Sequence, residues 1–230
     1  MPSRLNRLAP LCGIVFFVLL LVGIFTSGSS PGAGSSGAKV LAFYTKHRST
    51  QELSDVLFVF ASAFLVLFAA VLREHLRAEA DGLVTTALVG AGILALGLAL
   101  LSAIDWALAK EAHRISTGTA QALSTLDNDG VFPALLGGLL FGVCSGLAIL
   151  RTSVLPRWLG YLGLLFGIAS ATPASFAGLA ALAIWTLIIS IILLVRGWSV
   201  TDTSPSGFAA GVTTDGSVGQ QHGVTAGVAR

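Results

Sequence analysis

The sequence predicts an all-α fold: a polytopic transmembrane bundle of about six helices, both termini on the cytoplasmic side, with short amphipathic helices in the outer loops. Three observations predict it. Of the 230 residues, 54% are hydrophobic and only 10% charged, against about 25% charged in ordinary soluble domains. The apolar residues gather in runs that match a hydrocarbon layer of about 30 Å. Arginines then sit at alternate ends of those runs, as the positive-inside bias requires.

The first run, Leu8 to Phe25, follows Arg4 and Arg7 and leads into the flexible TSGSSPGAGSSG. About 18 residues at about 1.5 Å each give about 27 Å, enough to span. An uncleaved first helix is the expectation, because no A-x-A site closes the run; a cleaved secretory signal is the alternative. The second span is Val56 to Leu72, ending in REHLR, and the third runs from Leu83 to about Ala109. The fourth is Val131 to Leu150, the fifth Trp158 to about Thr172, short enough to be tilted or partly re-entrant, and the sixth Leu179 to Val195. Pro173 marks a turn between the last two, since the residue before a proline disfavours helix. Residues 1–198 then form one helix-bundle domain. Residues 199–230, a Gly/Ser/Thr-rich cytoplasmic tail with few large side chains, cannot bury enough to offset ordering and are expected to be disordered.

Two outer loops carry amphipathic patterns. In AKVLAFYTKHRS, Val40, Leu41, Phe43 and Tyr44 alternate with Lys39, Lys46 and Arg48, which suits a short helix at the headgroups. Between Lys110 and Gly130, Ile115, Leu123 and Leu126 stand among polar residues and predict a second. Orientation follows from Arg4, Arg7, Arg73, Arg77, Arg151, Arg157 and Arg196 on one side, against Lys39, Lys46, Arg48, Lys110 and Arg114 on the other.

Small residues recur every four positions at Ala134, Gly138, Gly142 and Gly146, and again from Ala87 to Ala103. Such ridges permit close backbone approach in lipid, so a tight contact involving the third and fourth helices is expected, within one chain or between copies. AVLR at Ala70 to Arg73 and AILR at Ala148 to Arg151 faintly echo one another; four residues carry little weight.

Asp105 follows about 22 largely apolar residues, or about 33 Å of helix, and is flanked by Trp106 and by Lys110, Glu111 and Arg114. It reads first as the point where the third helix leaves the bilayer, and alternatively as a functional acid. Ser49 and Glu52 have capping-box spacing before the second helix, with Asp55 one turn deeper, where a helix N-terminus favours its charge. DNDG at Asp127 to Gly130 fails as a calcium loop because Leu136 stands where the bidentate Glu belongs. Asp129 reads instead as a helix N-cap, with Pro133 in the first turn. Together Asp55, Asp105, Asp127, Asp129, His47 and His113 form a candidate outer polar network, while Gly138, Gly142 and Gly146 are the packing candidates.

The four histidines fall in separate segments, and Cys12 and Cys144 lack ligand neighbours, so no metal or other cofactor is implied. No nucleophile elbow, phosphate loop or catalytic carboxylate pair is present. A near-neutral chain without a basic stripe excludes nucleic acid as a partner. The remaining partners are the lipid bilayer, further copies and other membrane proteins.

LRTSVLPRWLGYLGLLFG at Leu150 to Gly167 resembles the helix junction of a family of uncharacterised multi-pass membrane proteins from high-GC Gram-positive bacteria. LSTLDNDGVFP and AKVLAFYTKHRS resemble its outer segments. The resemblance covers roughly residues 8 to 196 and implies a six-helix protein of the bacterial cytoplasmic membrane; it implies no catalytic residues.

The leading expectation is a structural, interaction or regulatory component. A small-solute or ion permeation protein is the alternative, and requires a polar cavity lined by Thr85, Thr86, Ser102, Ser145 or Ser170, since no ionisable group lies mid-helix. A membrane enzyme acting on lipid or envelope precursors comes third. It requires His47 or His113 within hydrogen-bond reach of Asp55, Asp105 or Asp127.

Overall fold

The structure, a computed structural model, describes residues 9–32, 34–152, 154–172 and 175–199, with side chains as far as residue 196. Arg4, Arg7, Pro173, His222 and nearly all of the tail lie outside them. Among the described residues the fold is all-α and holds no strand. Its elements are α1 (Leu11–Ser27), α2 (Gly37–Glu111), α3 (Thr117–Asp129), α4 (Phe132–Arg151), α5 (Arg157–Ser170) and α6 (Ser175–Ser199). The stretches Gly37–Glu111, Thr117–Arg151 and Ser175–Arg196 are long and apolar enough to cross a membrane, and Leu11–Ser27 is a shorter apolar helix.

Helix α2 is bent, with non-helical dihedrals at His47 (φ −111°, ψ 22°) and Ala80 (φ −143°, ψ 34°). These bends divide it into rods α2a (37–46), α2b (48–79) and α2c (81–111). The Ala80 bend folds α2c back along α2b. Arg73 consequently bridges Asp81 at 3.0 Å and donates to Thr85 at 3.1 Å, although residues eight apart in a straight helix are separated by about 12 Å. The second and third apolar runs are thus the two arms of one hairpin.

The neighbours pack antiparallel. Gly13 meets Phe68 and Gly23 meets Phe58, setting α1 against α2b. Gly90 abuts Phe141 and Gly97 abuts Ala134, setting α2c against α4. The expected contact of third and fourth helices is therefore present, but the Gly138, Gly142, Gly146 ridge does not form it. Gly142 lies on Gly163 and Gly167, Gly146 on Gly160 and Leu164, and Gly138 on Leu179 and Ser170. The cause is helical drift: a step of four residues overshoots a full turn by about 40°, so a ridge that starts on α2c at Ala134 has turned about 120° by Gly146. The seam is occupied within the chain, by α5 and α6.

One apolar core runs through the bundle. Phe68, Phe141 and Trp185 stack edge to face at its centre, with centroids 6.5 and 5.9 Å apart, and buried Trp185 donates its indole N–H to the Leu159 carbonyl at 2.8 Å. A smaller cluster of Val40, Tyr44, Leu108, Ala109, Ala112 and Ala120 joins α2a, the end of α2c and α3. Both outer-loop helices expected from the sequence are thus present, folded onto the same end of the bundle. Cys12 and Cys144 are free and pack partly buried against the main core.

Candidate functional site

The two ends of the bundle differ in chemistry. At one end lie Arg73, Arg77, Arg151, Arg157 and Arg196; there Arg77 pairs with Glu74 at 3.3 Å and Arg196 donates to the Val154 carbonyl. At the other end α2a and α3 close over the hairpin arms and bring acids together.

That acidic end begins with helix packing. Gln51 and Ser54, both buried, reach across to the C-terminal turn of α1, Gln51 Nε2 donating to the Ser27 carbonyl at 2.6 Å and Ser54 Oγ to the Gly23 carbonyl at 2.9 Å. The last four carbonyls of a helix lack partners within it, so the Gln51 bond satisfies the end of α1, and the two bonds together dock it on α2b. One residue beyond Ser54, Asp55 is only 3% exposed, and its Oδ2 is buried without a hydrogen-bond partner among the described residues.

Tyr44, on the buried face of α2a one turn after Val40, donates its hydroxyl to Asp105 Oδ1. Asp127 approaches from α3. The three carboxyl groups and the phenol act on one another electrostatically, and the charges bearing on Asp55 are those of Asp105, Asp127 and Glu52, all acidic. Burial first, then the charge of Asp105, pushes the Asp127 carboxyl up to about 7. Burial first, then the charge and hydrogen bond of Asp105, pushes the Tyr44 phenol well above its usual range. With no base bearing on these groups among the described residues, the cheapest way to relieve the repulsion is a proton retained on an acid.

The structure therefore assembles Asp55, Asp105 and Asp127 of the expected network and leaves out its other members. Asp129 is exposed and is the final residue of α3, with Gly130 closing that helix onto the Leu126 carbonyl at 2.7 Å. It is not an N-cap, because α4 starts at Phe132 after Val131, with Pro133 in its first turn. His47 stacks on Phe43, with centroids 4.7 Å apart, and its Nδ1 lies 3.1 Å from the Phe43 carbonyl, one turn back on its own helix. His113 is exposed just beyond α2. Ser49 and Glu52 do not open the second rod either, since the break falls at His47. Ser49 is exposed, Glu52 pairs with Arg48 at 2.8 Å, and Asp55 sits inside the helix, buried, rather than in a first turn. Asp105 lies inside α2c, which continues to Glu111, and accepts the Tyr44 hydroxyl.

Sequence reasoning missed Tyr44, Gln51 and Ser54. The signal for Tyr44 was available: Val40 and Tyr44, four apart, share the apolar face of an amphipathic helix, so the phenol had to be carried inward to a partner. Nothing local marks Gln51 and Ser54, whose acceptors lie 24 and 31 positions earlier in the chain.

Several hydroxyls along the helices bond to carbonyls of their own helix, whereas the buried Ser190 Oγ has no hydrogen-bond partner among the described residues. Ser102 donates to the Leu98 carbonyl at 3.0 Å, Thr86 to Gly82 at 2.9 Å, Ser170 to Gly167 at 2.7 Å, and Ser145 to Phe141. A cavity of about 250 Å³ lies between α1, α2b, α2c, α4 and α6, walled by Phe16, Phe58, Leu94, Phe141 and Leu179, with the Thr186 hydroxyl, which donates to the Leu182 carbonyl, as the one side-chain polar group among the described residues that line it. Comparison with known protein families, with curated proteins and with solved structures finds no match.

Proposed function

We propose that this chain is a non-catalytic six-span protein of the bacterial cytoplasmic membrane, with both termini inside, serving as a structural, interaction or regulatory component. The observation that carries the reading is the state of the hydroxyls within the apolar helices. Ser102, Ser145 and Ser170 each donate to a carbonyl of their own helix, and the cavity of about 250 Å³ is walled almost wholly by apolar side chains, so the described residues, Ser190 apart, offer no row of free polar groups to a permeating ion. The six spans are α1, α2b, α2c, α4, α5 and α6, each antiparallel to the helix it follows or packs on. The arginines at one bundle end favour placing that end in the cytoplasm. The enzyme reading asks for His47 or His113 on Asp55, Asp105 or Asp127, whereas His47 Nδ1 lies by the Phe43 carbonyl of its own helix and His113 is exposed. The resemblance of the α4–α5 junction to multi-pass membrane proteins supports the same setting.

The test is proton and small-ion flux in proteoliposomes, comparing the native chain with Asp55→Asn and Asp105→Asn at matched protein levels. No flux above empty liposomes is expected in any of them. Flux that either substitution abolishes would make the acidic end an entrance and the protein a permeation device. Reporter fusions at the two termini and in the 28–36 loop test the topology; cytoplasmic signals at both termini and an external one in the loop are expected.

A further inference from the structure

Where α2b and α2c run side by side at the acidic end, a pocket of about 380 Å³ opens on the wall of the bundle, lined by Asp55, Val59, Phe60, Ser102, Ala103 and Trp106 among others. Among the described residues, Asp55 is the one charged residue lining it. The side chains of Val59, Phe60 and Trp106 are exposed, whereas Asp55, which lines the pocket, is only 3% exposed and its buried Oδ2 has no hydrogen-bond partner among the described residues. A buried carboxyl without a donor is costly, and a ligand that brings a donor or a positive charge recovers that cost.

The lining selects among cations. A hard metal ion wants six or more oxygens, and this pocket offers one carboxylate and one serine hydroxyl in an apolar wall. Among the described residues no three His, Cys, Asp or Glu side chains stand in metal-binding array. An ammonium group on a hydrocarbon body matches each part: the N–H donors and charge meet Asp55, the indole and phenyl rings favour a cation nearby, and the apolar wall takes the body. The volume lies at the low end for small-molecule sites, so it suits a compact amine. The charges of Asp105 and Asp127, which bear on Asp55, add attraction for a positive charge. We infer that this pocket binds a compact amphipathic ammonium ion, with its nitrogen on Asp55 and its body against Val59, Phe60 and Trp106.

The experiment is equilibrium dialysis of tritiated 2-phenylethylammonium against the purified full chain in detergent, with 2-phenylethanol as the neutral competitor of similar shape. Saturable binding is expected, displaced by unlabelled amine and not by the alcohol. Asp55→Asn, close to isosteric, should weaken it at least about tenfold, as expected when one member of a desolvated charge pair is removed. Ala103→Phe, at an exposed position, fills the pocket with the acid intact and should weaken it comparably, while Asp129→Asn should leave it unchanged. Thermal melts and circular dichroism confirm that each variant is folded. No saturable binding by the native chain, equal binding by Asp55→Asn or by Ala103→Phe, or displacement by the alcohol as readily as by the amine would overturn the assignment.

Discussion

The glycine seam along α4 and the acidic cluster under α2a and α3 are both dense contacts, yet they are held together by opposite means. The seam gains from what its residues lack: without Cβ atoms, Gly142 and Gly146 let α5 lie against the α4 backbone, and dispersion over that close approach is the attraction available between helices in lipid. The acidic cluster gathers Asp55, Asp105 and Asp127 in spite of their charges, and Tyr44 supplies one hydrogen bond toward the cost. One region has no alternative arrangement at hand. The other holds groups whose protonation sets its energy, and a site of that kind responds to its surroundings.

The largest effect should come from crowding the seam. In Gly142→Ala the new Cβ would sit 2.6 Å from Gly167 Cα and 2.9 Å from the Gly163 carbonyl oxygen. Those are backbone atoms that cannot rotate away, so α4 and α5 must part. A loss of about 1–3 kcal/mol is expected, read as a lower midpoint in detergent denaturation. Gly138→Ala meets Leu179 Cδ2 at 2.9 Å and Ser170 Oγ at 3.1 Å, side-chain atoms that can shift, and should cost well under half as much. Equal losses at the two positions would mean that the seam is not set by backbone approach.

That pair also shows where the sequence is readable. The ends of α4 and α5 and the helices α2a and α3 follow from apolar runs and amphipathic periods, which are local properties. Which helix a small-residue ridge meets is not local. Ala134, Gly138, Gly142 and Gly146 form one ridge on paper, and only the neighbours' positions decide that Ala134 serves α2c while Gly142 serves α5. The acidic site was half legible for the same reason. Asp55, Asp105 and Asp127 fall at one end by counting residues along helices, but their convergence depends on the Ala80 hairpin and on α3 folding back. The expected capping box was misplaced by two residues because His47, whose non-helical dihedrals carry no strong sequence mark, supplies the break.

Within the acidic cluster, Tyr44→Phe keeps the ring on Val40 and Leu108 and removes the bond to Asp105. About 1 kcal/mol should be lost, more if the uncovered carboxylate stays buried and charged. Next comes pH. Asp127 is raised to about 7 in the folded chain from an unfolded value near 4, so between those values the folded state binds more protons than the unfolded one. Its contribution to stability is complete below pH about 4, declines as pH rises, and is gone above about 7. Asp127→Asn should flatten that decline and make the variant more stable than the native chain at pH 8, by about 1–2 kcal/mol after allowance for its partial exposure. A native chain whose stability rises from pH 5 to 8 through this residue would show that Asp127 is held charged, by a cation not yet placed.

The smallest effect is expected two residues further on, and it sharpens the contrast most. Asp129→Asn changes the same functional group on the same helix, but Asp129 is exposed at the last position of α3, while Asp127 faces Asp105. Its stability should move by no more than about 0.5 kcal/mol, with an unchanged pH profile. Helical geometry is the reason: two residues correspond to about 200° around the axis, so neighbours in DNDG look in opposite directions. If Asp129→Asn instead reproduced the Asp127→Asn profile, the sensitivity would belong to the summed charge of the loop, and the cluster built from Tyr44, Asp55, Asp105 and Asp127 would have no separate standing.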